Sequence, residues 1–117
     1  MGTYQSHGKF IISPDGTKIW AEAAGNHEKP AVVFIHGFSL SGTVWEKQFQ
    51  DTFLLENLYL LRYDLRGHGR SEQPVEPDAY TSVRMAEDFA AVCSASGVKL
   101  PYIAGWSFGG ELTDLLL

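Results

Sequence analysis

The chain has 117 residues, 44% hydrophobic and 20% charged, with a formal net charge of −5, the size and make-up of one globular domain or part of one. The acidic balance and the absence of a basic patch exclude a nucleic-acid surface, and no apolar run approaches the roughly 18 residues that span a bilayer. Residues 1–8 lack the basic start and apolar stretch of a signal peptide and are expected to form an N-terminal tail ahead of the domain at 9–117. The single cysteine, Cys93, leaves no internal disulfide and suits a reducing compartment, so the expected location is cytoplasmic.

In chain order, Lys9-Phe10-Ile11-Ile12 and Lys18-Ile19-Trp20-Ala21-Glu22 flank Ser13-Pro14-Asp15-Gly16-Thr17, which predicts a hairpin. Ala31-Val32-Val33-Phe34-Ile35 is a continuous, largely β-branched run, the pattern of a strand buried on both faces. A loop follows from His36 to Gly42. Thr43 and Glu46 read as a capping box, and Trp45, Phe49 and Phe53 at helical spacing predict a helix over 44–56. Leu58 to Tyr63 is the next strand, followed by a long polar segment to Tyr80. Thr81 or Ser82 can cap a helix with Val83, Ala86, Phe89, Ala90 and Cys93 on one face, closed by Gly97 as its C′ residue and Val98 beyond. Strands alternating with helices after the hairpin predict an α/β fold. Its sheet would be mostly parallel, with the N-terminal hairpin as an antiparallel edge.

The last stretch carries the chemistry. Tyr102-Ile103-Ala104 reads as a buried strand, Gly105-Trp106-Ser107-Phe108-Gly109 is a G-x-S-x-G pattern, and 111–117 reads as the start of a helix. Strand, sharp turn with serine at its apex, then helix is the setting of a nucleophile elbow. Gly105 and Gly109 lack the Cβ atoms that would keep strand and helix apart. Two further motifs precede it in order: His36-Gly37-Phe38 after one strand, and Asp64-Leu65-Arg66-Gly67-His68-Gly69-Arg70-Ser71 after the next. Together the three motifs resemble those of the α/β-hydrolase family, over essentially the whole chain from Lys9. The segment from His36 to Trp45 is similar to the serine esterases and cofactor-free haloperoxidases of that family.

The resemblance implies Ser107 as catalytic nucleophile in acyl transfer on a small ester-type substrate, without metal or cofactor. It implies the backbone N–H groups of Phe38 and Phe108 as the oxyanion hole, with Gly37 turning the backbone inward. The side chains of Phe38, Trp106 and Phe108 would wall an apolar acyl pocket. His36, Asp64, Arg66 and His68 would brace the neighbouring loops, Asp64 satisfying backbone donors and pairing with Arg66. Related epoxide hydrolases and haloalkane dehalogenases resemble one another in having aspartate at the elbow, so a serine at 107 argues for acyl over alkyl transfer.

The family's triad runs serine, then acid, then histidine. Beyond Ser107 the only acidic residues are Glu111 and Asp114, in the first turns of the expected helix, and all four histidines precede the serine. The expectation is therefore the N-terminal portion of a longer hydrolase, its fold truncated after the elbow and the isolated chain inactive. The elbow strand would be an open sheet edge able to pair with another chain. The competing expectation is a non-catalytic remnant or binding module of the same fold.

Overall fold

A computed structural model of the chain describes residues 5–37 and 40–106. The hairpin forms as expected from strands β1 (His7–Ile12) and β2 (Lys18–Gly25), paired antiparallel. β1 begins two residues before the expected strand start at Lys9, because His7 and Gly8 are already in register with Ala23 and Glu22. Strands β3 (Ala31–Ile35), β4 (Tyr59–Tyr63) and β5 (Tyr102–Gly105) complete the described sheet, in the order β1-β2-β4-β3-β5. β3 pairs in parallel with both β4 and β5, while β2 joins β4 antiparallel. The mixed sheet of an α/β fold is thus the observed one.

The two faces of the sheet are covered differently. Val33 and Ile35 of β3 with Leu61 and Tyr63 of β4 point to one face, packed with Met85, Val92 and Cys93 of helix α2 (Ser82–Ala95). Phe34 and Leu60 point to the other, packed with Phe49 and with Leu55 of helix α1 (Thr52–Asn57). This alternation is why β3 reads as continuously apolar: each successive side chain meets a different layer.

The helix expected over 44–56 is replaced by two 3-10 turns, Gly42–Trp45 and Gln48–Gln50, followed by the short α1. Asp51 breaks the segment: its backbone is extended (φ −79°, ψ 115°), and its carboxylate accepts the Leu54 N–H at 3.0 Å, starting a new helix there. The capping box does not form either. Ser41, not Thr43, precedes the first turn, and Glu46 pairs with Arg62 at 3.1 Å. With the period broken, Phe49 is buried but Phe53 is exposed.

α2 matches its expected ends. Thr81 Oγ1 accepts the Arg84 N–H, the Val98 N–H donates to Cys93 O at 2.9 Å, and the Gly97 N–H donates to Ser94 O at 3.2 Å. Its buried face is rotated from the expected one. Val83 is exposed, and the fully inward positions are Met85, Asp88, Val92 and Cys93. An aspartate occupies the apolar stripe because it faces a buried arginine, described next.

Candidate active site

The three motifs follow three strands, and the sheet register brings their ends together. Ile35 is in register with Tyr63 on one side and with Gly105 on the other. His36, Asp64 and Trp106 therefore all leave the carboxyl edge of the parallel strands at one level, where open α/β sheets place their ligand crevices. The Trp106 N–H donates to Ile35 O at 3.1 Å, which carries the β5 pairing one residue into the G-x-S-x-G pattern. The expected nucleophile Ser107, its glycine Gly109 and the expected oxyanion donors Phe38 and Phe108 lie outside the described residues.

His36 has no solvent exposure. The Leu65 N–H donates to its Nε2 at 2.9 Å, and its Nδ1 lies 2.7 Å from Gly37 O. A carbonyl can only accept, so Nδ1 carries the proton and the ring is a neutral imidazole with both nitrogens engaged. The His68 ring lies 5.2 Å away, with its Nδ1 3.0 Å from Arg66 O. Burial, and secondarily the neighbouring His68, pull the His36 pKa below its ordinary 6.5, against the raising effects of Gly37 O and Asp64. A depressed histidine pKa means that the folded chain binds fewer protons than the unfolded one. Stability is then undiminished above pH 6.5 and lost as pH falls from there towards the lowered value. Urea unfolding at pH 7.5 and 5.5 should show this loss, reduced in His36→Asn.

Asp64 satisfies backbone donors as expected, but on two segments. Its Oδ1 accepts the Gly42 N–H at 2.7 Å and its Oδ2 the Arg70 N–H at 2.8 Å, tying the turn after β3 to the loop after β4. Gly69 (φ +51°) passes so close that a Cβ there would strike the Asp64 carboxylate. Ser71 closes the loop, its Oγ donating to Asp64 O at 2.5 Å and accepting the Trp20 N–H at 2.9 Å.

The expected Asp64–Arg66 pair does not exist, because the Arg66 side chain turns away to a different cage. It is fully buried, and all five of its N–H groups find acceptors. Nε and Nη2 each donate to Asp88 at 2.7 Å, Nη1 and Nη2 to Asp15 at 2.8 and 3.2 Å, and Nη1 also to Ala79 O at 2.7 Å. Ser13 Oγ adds a donor to Asp88 at 2.6 Å. The guanidinium holds the Asp15 carboxyl well below the usual carboxylate range. One arginine thereby joins the hairpin turn, the loop after β4 and α2.

Arg62 does similar work on the other face. It donates to Glu22 at 2.8 Å and to Gly42 O at 3.2 Å and covers the Phe49 ring at 4.2 Å. Asp15, Arg62 and Asp88 were not singled out from the sequence. The available signal was a charge inside an otherwise apolar strand or helix face, which in a folded chain needs a partner.

Trp106 is half exposed, its ring edge-on to Trp45 at 6.3 Å, and Trp45 in turn lies 5.0 Å from Phe34. A hollow of about 490 Å³ lies beside α2, lined by residues including Phe89, Cys93, Val98 and Pro101. Among the described residues, no motif side chain lines it. Cys93 is a free, buried thiol whose pKa burial pushes up to about 11, which leaves it protonated and unreactive near neutrality. Among the described residues, no cluster of three His, Cys, Asp or Glu side chains is arranged to hold a metal ion, and no helix is long and apolar enough to cross a membrane.

Comparison with known proteins agrees with this architecture. A protein of Mycobacterium bovis named "Probable oxidoreductase EphD" is 39% identical over 92 residues, covering 79% of this chain but 15% of its own length. The bifunctional esterase/perhydrolase DCH of Acinetobacter calcoaceticus is 35% identical over 101 residues, 86% of this chain and 36% of its own. Among solved structures, a hydrolase from Pseudomonas aeruginosa superposes with a TM-score of 0.85 at 30% identity, over 94% of this chain and 40% of that one. The chain thus spans well under half the length of each of these relatives. The alpha/beta hydrolase fold family matches residues 30–115, and the chain belongs to it.

Proposed function

We propose that this chain is the nucleophile-bearing part of a serine hydrolase that acts on carboxylic esters or related acyl compounds through an acyl-enzyme. The observation that supports this reading most is the common register of Ile35, Tyr63 and Gly105, which brings the starts of all three motifs to one edge of the sheet. Ser107 Oγ would attack the acyl carbon while a histidine takes its proton. The N–H groups of Phe38 and Phe108 would hold the oxyanion, each commonly worth about 3 kcal/mol by deletion. The alcohol leaves with that proton, and water then releases the acid from the acylated serine. A histidine and an acid partner would complete the triad, and the half-exposed Trp106 would form one side of the acyl pocket. The protein works in the cytoplasm on a small diffusible substrate and needs no cofactor.

The full-length protein is expected to hydrolyse p-nitrophenyl acetate and butyrate and to leave styrene oxide untouched, whereas the isolated chain shows little or no turnover. Epoxide opening without ester hydrolysis contradicts the reading. A second reading, a binding module, draws on β5, which ends the described sheet and carries an exposed Tyr102. It predicts capture of a strand from another chain with no ester turnover in any form of the protein.

A further inference from the structure

We propose that a hollow at the amino edge of the parallel strands is a binding site for a small phosphate monoester, at the end of the sheet opposite the candidate active site. The hollow measures about 420 Å³, within the range of small-molecule sites. Separate chain segments wall it: His27 and Lys29 come from the loop between β2 and β3, Tyr59 from the start of β4, and Ser96 and Lys99 from the turn between α2 and β5. Two ammonium groups, an imidazole and two hydroxyls thus belong to one concavity, and its described lining holds no carboxylate. That grouping runs against the chain's net charge of −5.

The lysines are uncommitted. Arg62, Arg66 and Arg84 are each paired with carboxylates, whereas no Asp or Glu among the described residues lies within ion-pair distance of Lys29 or Lys99. The backbone of both walls is braced without a ligand. On one side the Asn26 N–H donates to Leu58 O at 3.0 Å, the Lys29 N–H to Asn26 O at 3.0 Å, and the Tyr59 N–H to Pro30 O at 2.9 Å. On the other side, the carbonyls at the end of α2 would repel an anion. Those of Val92, Cys93 and Ser94 are already taken by the N–H groups of Ser96, Gly97 and Val98.

The ligand class follows from charge and donor type. A phosphate monoester carries about 1.5 to 2 negative charges near neutrality and three strong acceptor oxygens. Two ammonium groups balance that charge, and the hydroxyls and the imidazole are further donors. Lysine binds phosphate as a point charge, while the guanidinium fork that matches a carboxylate is absent from the described lining. The volume also leaves room for the esterified group. The 5 residues of β3 separate this edge from the motif edge, about 16 Å at 3.3 Å per residue. A ligand here therefore leaves the acyl-transfer site open, and the proposal does not rest on that reading.

Calorimetric titration of the full-length protein with phenyl phosphate at constant ionic strength tests the site. One binding event is expected, weakened about 10-fold in Lys29→Met and again in Lys99→Met, the low end for a charge-assisted hydrogen bond. Lys47→Met, on the separate turn before Gln48, should bind as the parent does. Saturating phenyl phosphate should leave KM for p-nitrophenyl butyrate within about twofold, because the two ligands occupy opposite edges. No binding at millimolar concentrations, or equal affinity in the parent and the Lys29 and Lys99 variants, overturns the proposal. So does competition with the ester, which would put the anion at the motif edge, or succinate binding as tightly as phenyl phosphate. Affinity for phosphatidic acid vesicles without affinity for phenyl phosphate also overturns it, since the source would then be a lipid surface. Binding is read without turnover, so failure here is distinguishable from failure of the serine-hydrolase reading.

Discussion

Asp88→Ala is expected to destabilise the protein by about 3–5 kcal/mol, the range for removing one partner of a buried ion pair. The Arg66 side chain has no exposure, and Asp88 supplies two of its 2.7 Å contacts from a side chain that is itself 1% exposed. Without the carboxylate, two guanidinium N–H groups and the Ser13 hydroxyl lose their acceptor in a space closed to water. Asp15 holds the opposite side of the same guanidinium from a side chain that is 15% exposed, and its own removal should cost about 1–2 kcal/mol because Asp88 still balances the charge. Urea unfolding of the full-length protein measures both. Equal small effects, below about 1 kcal/mol, would mean that the cage is as weak as a surface pair.

Ser107→Ala is expected to lower kcat/KM for p-nitrophenyl butyrate by about 10⁴-fold or more, the scale found when a triad serine is lost. Covalent catalysis divides acyl transfer into two easier steps, and neither His36 nor Cys93 can replace the attacking hydroxyl. His36 has both nitrogens committed, and Cys93 is buried beside α2 with its thiol protonated. What activity is left would come from oxyanion stabilisation and substrate binding alone. Melting curves of the variant serve as the control, because a substitution that only removes the nucleophile leaves the temperature of unfolding near that of the parent.

The strands were the most legible part of the fold. Runs such as Ala31 to Ile35 fill both layers of a two-faced core, so their composition alone identifies them, and the three motifs in order identified the family. The 44–56 segment misled because Trp45, Phe49 and Phe53 keep helical spacing across Asp51, whose extended backbone starts a separate helix. The Arg66 cage was illegible for a different reason. Its partners lie 51 and 22 positions away, and nothing local distinguishes a guanidinium that will meet Asp64 from one that will meet Asp88. A charge on the inward face of α2 was the available sign that a buried partner existed. The partners of His36 were not legible, because its hydrogen bond to Gly37 depends on the Leu65 amide brought up by β4, which is a fact of the register.

The central claim is that Ser107 is the nucleophile of an acyl-transfer site. It is tested most directly by treating the full-length protein with a fluorophosphonate and locating the adduct by peptide mass spectrometry. The predicted result is one phosphonyl group on the peptide that contains Ser107, absent in Ser107→Ala. Ester hydrolysis that continues while Ser107 stays unmodified, or an adduct on any other residue, would contradict it.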